Sequence, residues 1–453
     1  MSLQSGRWDL RRSSETRLGR LSSHLALVRR TREETVPQWT IPLVYAVTAV
    51  ALGAIFPRIE AHWLSTFVAP VSIGSAVAID SSIASGMMAL TGIVFSLVFV
   101  VVQFGATAYS PRLVSFIARD PLLMHAIGMF TATFVYAVAA LLWIDRNNSG
   151  RVPFLSVSLV ILLLLASVAI LVGLVQRLTS LQIQRILIFA ANRGRAVIDT
   201  LYPPLVAVAV PELAPTELDR RSITQTMVDH GHPRAIQGVD AMALLTAACE
   251  SGGVIEMVCA VGDTVGEGIM LLRVYGASQP IDERVLRKAI LVGEKRTFQQ
   301  DPKYALHILS DIAIRALSPA INDPSTAVQA LDQVEDLLLR LGRRRLDIGN
   351  ICDAKGTLRL IIPVPAWEDF LSLGLDQIRH YGAGDLQVVR RMRALLNDLQ
   401  EALPPQRRPA LRVHMQRLES VINRSFEDEE ELVVASAEDR QGLGAPRSRR
   451  SHM

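Results

Sequence analysis

Apolar residues are concentrated in four uncharged runs that precede Arg177, whereas charged and apolar residues alternate in the rest of the chain. A helix needs about 20 apolar residues to cross the hydrocarbon layer, because its backbone polar groups must be satisfied within the segment. All four runs approach or exceed that length. The pattern therefore predicts transmembrane helices over residues 39–56, 81–110, 121–144 and 152–176.

The charges that flank these runs predict the orientation of the chain. Residues 1–38 are mostly polar and contain eight arginines, and further arginines follow the second and fourth runs. Positive residues favour the cytosolic side of a membrane, so we expect both termini in the cytosol. Residues 57–80 contain Pro70, Gly74 and several serines, which predicts an interfacial or periplasmic segment rather than a fifth span.

The second span carries a stripe of small and polar residues along one helical face. At 100° per residue, the other members fall within about 40° of the direction of Ser85 on a helical wheel. The stripe consists of Ser85, Gly92, Ser96, Gln103, Thr107 and Ser110. Polar groups are costly in lipid, so the stripe should face protein or water. Two interpretations follow: several copies of this helix line a water-filled ion path, or small residues admit a neighbouring helix in a close packing contact.

Composition excludes several classes of protein. Half of the 453 residues are hydrophobic and 20% are charged, which is unusual for a soluble chain. The net charge of +4 comes from scattered arginines, so no nucleic-acid partner is expected. Cys249, Cys259 and Cys352 form no CxxC pair, and the short His230–His232 spacing is weak evidence, so neither a disulfide framework nor a metal site is predicted. No catalytic motif or phosphate-binding loop occurs, and we expect neither an enzyme nor a cofactor.

The chain after the fourth span predicts an α+β domain in the cytosol. Glycines and alternating Val and Leu in residues 253–271 resemble half of a biotinyl- or lipoyl-type barrel-sandwich hybrid. No lysine lies between Gln176 and Lys288, which argues against a tethered biotin or lipoate and leaves a structural or ligand-sensing role. The predicted order is a cytosolic N-terminal segment (1–38), four spans (39–176), a helical connector (177–222), the β module (223–280), a helical domain (281–425) and a disordered tail (426–453).

Two long motifs identify a family resemblance. Residues 293–302 (GEKRTFQQDP) and 312–327 (IAIRALSPAINDPSTA), together with Phe95–Ser96 and residues 109–112 (YSPR), resemble the signature of the domain-of-unknown-function family 2254, predicted bacterial membrane proteins. The resemblance extends from about residue 40 to residue 424. It implies a four-span N-terminal part and a soluble C-terminal part in a bacterial inner membrane, and it implies no established activity.

The same signature contains a candidate ligand site. Asp282, Asp301 and Asp323 each precede a helical pattern, and the last two stand before a proline, which is typical of helix N-caps. One interpretation is that guanidinium groups and a helix start receive a small anionic ligand; the other is a set of caps with a structural Asp311–Arg315 ion pair. The candidate residues are Arg296, Thr297, Asp301, Asp311, Arg315, Ser318, Asn322, Asp323 and Thr326.

These patterns favour an oligomeric inner-membrane ion channel or channel-like transport protein. A four-span subunit can enclose a path only by association with further copies, so a homo-oligomer in the lipid bilayer is expected, with a cytosolic domain that senses a ligand or inorganic ion or assembles the oligomer. The alternative is a membrane-anchored sensor or scaffold without a conducting path.

Overall fold

The structure is a computed structural model that describes residues 40–63, 72–108, 121–144, 152–179, 183–205 and 221–442. These residues divide into two compact units between Arg185 and Ile186. The N-terminal unit contains only helices, whereas the C-terminal unit contains helices and strands.

The N-terminal unit contains four apolar helices, which confirms the predicted number of candidate spans. The second helix has 36 residues, which corresponds to about 54 Å at 1.5 Å per residue and exceeds the roughly 30 Å of the hydrocarbon layer. The helices are α1 (Thr40–Trp63), α2 (Ile73–Ala108), α3 (Pro121–Leu141) and α4 (Phe154–Thr179).

The boundary between the first two helices differs from the sequence interpretation. Helix α1 continues through Pro57 to Trp63, and α2 begins at Ile73. Much of the predicted non-helical segment 57–80 is therefore helical, while residues 64–71 lie outside the described residues. A carboxylate normally marks the solvated end of a span, but the Asp80 side chain is fully buried inside the bundle.

Helix α3 is the most buried of the four candidate spans, and α1, α2 and α4 all pack against it. A Cβ atom at Gly53 of α1 would lie 2.5 Å from the Ala139 Cβ of α3, so this crossing requires glycine. Thr133 and Ser167, both fully buried, join α3 to α4 through a 2.9 Å hydrogen bond between hydroxyls. Small residues and an interhelical hydrogen bond are typical of helix packing in membranes.

The C-terminal unit begins with a helix that docks into it. Helix α5 (Ile183–Leu201) follows α4 after residues 180–182, which lie outside the described residues. A Cβ atom at Gly194 would lie 2.8 Å from the Ala305 Cβ. Helix α5 therefore closely approaches the helix Pro302–Ala316, which contains Ala305. The Arg195 guanidinium donates to Asp336 at 2.6 Å and to Gln333 at 2.9 Å, which fixes the other side of the helix.

Eight strands form two sheets in the C-terminal unit. They are β1 (Ile223–Val228), β2 (Arg234–Val239), β3 (Val254–Met257), β4 (Thr264–Val265), β5 (Met270–Tyr275), β6 (Ile290–Gly293), β7 (Asn350–Cys352) and β8 (Leu358–Ile361). One sheet has the order β1-β5-β3-β8-β7, with β3 and β8 parallel and its other pairs antiparallel. The other has the order β4-β2-β6, all antiparallel.

The two sheets share one apolar core with the helix α6 (Ala241–Ser251). Met227, Ile255 and Leu272 of the larger sheet and Ile236 of the smaller sheet are buried together in it. Strands β6, β7 and β8 lie after residue 280, so the mixed-sheet part draws on chain well beyond the predicted β module. Residues 356–363 (GTLRLIIP) have a pattern that predicts one more strand, and β8 forms there.

Seven further helices are described in this unit, and the first of them packs its Leu286 into the sheet core. They are α7 (Glu283–Lys288), α8 (Pro302–Ala316), α9 (Pro324–Gly342), α10 (Trp367–Tyr381), α11 (Leu386–Ala402), α12 (Arg408–Ser425) and α13 (Glu429–Ala435). Their amphipathic faces bury leucines and valines against one another. Arg391 of α11 is also buried, and it pairs with Asp332 at 2.8 Å and with Glu335 at 2.5 Å on α9.

The segment after residue 425, which the sequence indicates as disordered, folds as far as residue 442. Phe426 and Ala435 are buried against the unit. The Asp428 carboxylate caps α13 by accepting from the Glu430 and Glu431 amides. The acidic run thus forms the first turn of a helix, where the macrodipole favours negative charge. Residues 443–453 lie outside the described residues.

Candidate functional site

The polar stripe lies on the face of α2 that points away from the other described helices of the N-terminal unit. Ser85, Gly92, Ser96 and Gln103 are all exposed, and no atom lies within 4 Å of a Cβ built at Gly92. The side chain of Thr107, and Ser110 as a whole, lie outside the described part of the chain.

The opposite face of α2 forms the contact with the rest of the bundle. Ala76, Asp80, Ala84, Met87 and Val94 are buried along it. At 100° per residue, the described stripe residues lie between about 120° and 160° around the helix from Asp80. Ser85, Gly92 and Ser96 therefore face away from the contact between α2 and the other described helices of this unit.

Within the signature motif, Arg296 and Asp301 form an ion pair at the start of α8. Asp301 is 2% exposed, caps α8 by accepting from the Tyr304 amide, and accepts from Arg296 at 2.9 and 2.6 Å. The Arg296 guanidinium also stacks over the Tyr304 ring, 5.3 Å from its centroid. Burial raises the pKa of Asp301, and Arg296 opposes that shift. The guanidinium that was a candidate anion receptor thus already has an anionic partner.

Gly262 covers this ion pair. Its φ angle of 92° lies in the left-handed region, and a Cβ atom there would lie 2.5 Å from an Asp301 carboxylate oxygen and 2.9 Å from the Arg296 guanidinium. Gly262 lies between β3 and β4, so the pair connects the sheet part of the unit to α8. Only glycine allows both the backbone conformation and this approach.

The second part of the motif forms the turn between α8 and α9. Asp323 caps α9 by accepting from the Thr326 amide at 3.1 Å, and it also accepts from the Thr326 hydroxyl at 2.6 Å. The Ser318 hydroxyl donates to the Arg315 carbonyl, and Asn322 adopts a positive φ of 50°, which asparagine tolerates. At this helix start, the Thr326 amide therefore already donates to the Asp323 carboxylate.

The nine candidate residues therefore occur as small local groups. Arg296 meets Asp301, Asp323 meets Thr326, and Asp311 lies 3.7 Å from His307. The Thr297 hydroxyl is buried and lacks a hydrogen-bond partner among the described residues. An anion site that unites them stays a prediction.

Gln300 is a structural residue that the sequence interpretation missed. Its side-chain amide accepts from the Val239 amide at 2.9 Å and donates to the Val239 carbonyl at 3.4 Å, which satisfies both backbone groups at the end of β2. The position of Gln300 within the signature motif indicated that this residue has a role. The role itself was not predictable from local sequence, because its partner Val239 lies 61 residues earlier in the chain.

His230 lies 3.3 Å from Glu267, and both side chains are exposed. Among the residues that the structure describes, no group of three or more His, Cys, Asp or Glu side chains is placed to hold a metal ion.

Comparison with known proteins identifies a family and several relatives. The family described as "Predicted membrane protein (DUF2254)" matches residues 37–398. The uncharacterized proteins Rv1290c of Mycobacterium tuberculosis and Mb1321c of Mycobacterium bovis are each 28% identical over 423 residues, which cover 87% of this chain and 78% of the relative. No solved structure matches.

Proposed function

Because this chain belongs to the DUF2254 family of predicted membrane proteins, we propose that it forms an oligomeric ion channel or channel-like transport protein of the bacterial inner membrane. Helix α2 lines the path, and both termini lie in the cytosol. The observation that carries the proposal is the outward direction of the polar stripe on α2.

The physical argument begins with the cost of polar groups in lipid. The hydroxyls of Ser85 and Ser96 lie within the candidate span Ile73–Val100. Facing acyl chains, such groups are unfavourable, whereas water or polar groups of another subunit satisfy them. The stripe therefore favours a second copy of the chain or a water-filled path at this face.

The interior of the single subunit is filled. Phe130, Tyr136 and Ala137 of α3 are fully buried, and α1 contacts α3 at the Gly53 crossing. A path through the described part of the bundle would have to displace these side chains. A path between subunits requires no such change, because the stripe already lies on the outer surface.

The C-terminal unit is proposed to lie in the cytosol and to assemble the oligomer or to sense a ligand. The likeness of residues 253–271 to a barrel-sandwich hybrid stays part of this proposal. If a small anion binds near Arg296, it must compete with Asp301 for the guanidinium, so the proposed site requires a rearrangement of that ion pair.

The alternative is a membrane-anchored sensor or scaffold without a conducting path. Gly86 and Gly92 favour it, because a Cβ built at either position meets nothing within 4 Å and a neighbouring backbone could approach closely. In this case the stripe is a dry contact between subunits.

Cysteine accessibility separates the two functions. Ser96→Cys and Gln103→Cys are introduced into protein whose Cys249, Cys259 and Cys352 are replaced, and the purified oligomer is reconstituted in liposomes. A water-filled path predicts that a membrane-impermeant thiol reagent modifies both positions and changes potassium chloride flux. Leu97→Cys is the control, because it is exposed on another face of α2 and should stay unmodified.

A charge substitution gives the complementary result. In a path, Ser96→Asp should leave the oligomer intact and favour cations, because a ring of carboxylates attracts them. In a dry contact, the same change buries unpaired charge at a cost of several kcal/mol per ion and should dissociate the oligomer. An intact wild-type oligomer that passes no ion under any gradient or voltage, with candidate anions present, would refute the channel.

A further inference from the structure

Each helix of the N-terminal unit contributes one buried polar side chain near the same end of the bundle. Glu60 lies near the end of α1, Asp80 near the start of α2, Tyr136 near the end of α3 and Ser156 at the start of α4. Glu60 is 8% exposed, and the other three are fully buried. This end is the one opposite to Thr179, where α4 ends.

The Glu60 carboxylate links the end of α1 to the start of α4. Its carboxylate accepts from the Leu155 amide at 2.9 Å and from the Ser156 amide at 3.2 Å, at the first turn of α4. The free amides of a helix start stabilise a carboxylate through hydrogen bonds and the helix dipole. Glu60 therefore ties the end of α1 to the start of α4.

Asp80 has no comparable partner. Both of its carboxylate oxygens are buried without a hydrogen bond to any described residue. Asp80 lies one turn from Ala76, which packs with Ile144 and Val157, and one turn from Ala84, which packs with Tyr136. The carboxyl group is thus enclosed between two apolar clusters.

Among the residues that the structure describes, the titratable groups around Asp80 supply no positive charge. Tyr136 of α3 interacts electrostatically with Asp80 and with Glu60 of α1, and α4 contributes the uncharged Ser156. Arg58 of α1 is directed elsewhere, over the Trp143 ring at 5.4 Å. An ionised carboxylate without a counter-ion in such surroundings costs several kcal/mol, so the group takes up a cation or a proton.

The set of side chains fits a proton better than a metal cation. Hard cations such as Mg²⁺ and Ca²⁺ take six or more oxygen ligands. Here Asp80, Tyr136 and Ser156 offer four oxygen atoms, and the Glu60 carboxylate is already occupied by the start of α4. One proton on Asp80 neutralises the carboxylate and gives it a hydrogen-bond donor.

We propose that Asp80 is a proton-binding site of the membrane bundle. The Tyr136 hydroxyl is the hydrogen-bond partner of the protonated carboxyl group. The neutral acid belongs to the packed state of α2 and α3. Release of the proton requires these helices to separate enough to admit water, so proton binding and helix packing are linked. This proposal does not depend on ion conduction by the stripe, which lies on the opposite face of α2.

The test uses the full chain, purified and placed in lipid nanodiscs. Infrared spectroscopy near neutral pH should show the carbonyl stretch of a buried protonated carboxylic acid. Asp80→Asn should abolish that band, Tyr136→Phe should shift it, and Glu60→Gln should leave it in place. A wild-type spectrum that lacks the band, or a band that persists in Asp80→Asn, would overturn the assignment.

Thermal stability gives a second readout. Wild-type stability should decrease as the pH rises above about 4, because the unfolded chain then releases this proton while the packed state retains it. Asp80→Asn resembles the neutral acid, so it should fold at least as well as wild type and lose this dependence. An Asp80→Asn protein that fails to fold would contradict the proposal, because it would show that the ionised carboxylate is required. A shift of the wild-type melting curve by sodium or potassium chloride that Asp80→Asn lacks would instead assign the site to a metal cation.

Discussion

At the scale of single residues, His414 is a buried base in the C-terminal unit. It lies on α12, is 5% exposed, and its Nδ1 atom is 3.5 Å from the Asp376 carboxylate without forming a hydrogen bond. Burial lowers the pKa of His414, Asp376 opposes that shift, and Arg417 and Arg379 add to it. The folded protein therefore favours the neutral imidazole.

The sign of the resulting pH dependence follows from this shift. Below about pH 6.5 the unfolded chain binds a proton at this histidine more readily than the folded chain does. The free energy of unfolding therefore decreases by at most about 1.4 kcal/mol for each pH unit by which the pH falls. His414→Gln should remove this loss. Hydrogen–deuterium exchange of α12 amides, compared between wild type and variant at each pH, measures the difference without the intrinsic pH effect. His380→Gln is the control, because that side chain is less buried. If the ratio of α12 exchange rates between wild type and His414→Gln is the same at neutral and at acidic pH, the prediction is contradicted.

The sequence predicted local roles of residues better than distant ones. Asp282, Asp301 and Asp323 were predicted as N-caps from their neighbours, and all three accept backbone hydrogen bonds at helix starts. The ion pair of Asp301 with Arg296 needs Gly262 above it, and no local pattern contains that information. Asp80 was misplaced because a carboxylate at the edge of an apolar run is normally solvated, whereas here the bundle encloses it.

At the scale of elements, helix crossings in the N-terminal unit depend on small residues. Gly53→Val should destabilise the bundle by about 1–3 kcal/mol, because its Cβ would overlap Ala139 of α3. Gly173→Val on α4 is the matched control, since a Cβ there meets nothing within 4 Å. Melting temperature and the monodisperse fraction after size-exclusion chromatography in detergent measure the effect. Equal behaviour of the two variants would show that the α1–α3 crossing is not tightly packed.

Element identity was predictable where one pattern extended over many residues. The four apolar runs gave the candidate spans, because a membrane helix needs length and the absence of charge, and both are visible in the sequence. The strand β8 was also predicted, but its parallel pairing with β3 was not. Pairing depends on contacts between segments about a hundred residues apart, and periodicity describes only the neighbours of each residue.

At the scale of the whole molecule, the orientation of the chain can be tested with a native cysteine. Cys249 is exposed in the C-terminal unit. If that unit is cytosolic, an impermeant thiol reagent should modify Asn148→Cys, between the third and fourth helices, in intact cells, and should modify Cys249 only after the membrane is permeabilised. Modification of Cys249 in intact cells would contradict the predicted topology.

The division of the molecule into two units follows from composition, because apolar and charged residues are distributed so unevenly. The face of α2 that carries the stripe was also visible from the sequence, since helical spacing assigns residues to faces. Its outward direction was not, because direction depends on which residues of α2 meet α3. Those residues include small alanines and the enclosed Asp80, which no hydrophobicity pattern separates from the exposed side.

The parallel pairing of β3 with β8 has a consequence for synthesis on the ribosome. Strand β3 ends at Met257, and β8 begins at Leu358, about a hundred residues later. At roughly 5–20 residues per second, one edge of β3 waits about 5–20 s for its neighbour to be translated. During that interval an unpaired strand edge is open to non-native partners. A nascent chain stopped before Leu358 therefore exposes this edge, and chaperone binding is expected to be strongest over that window.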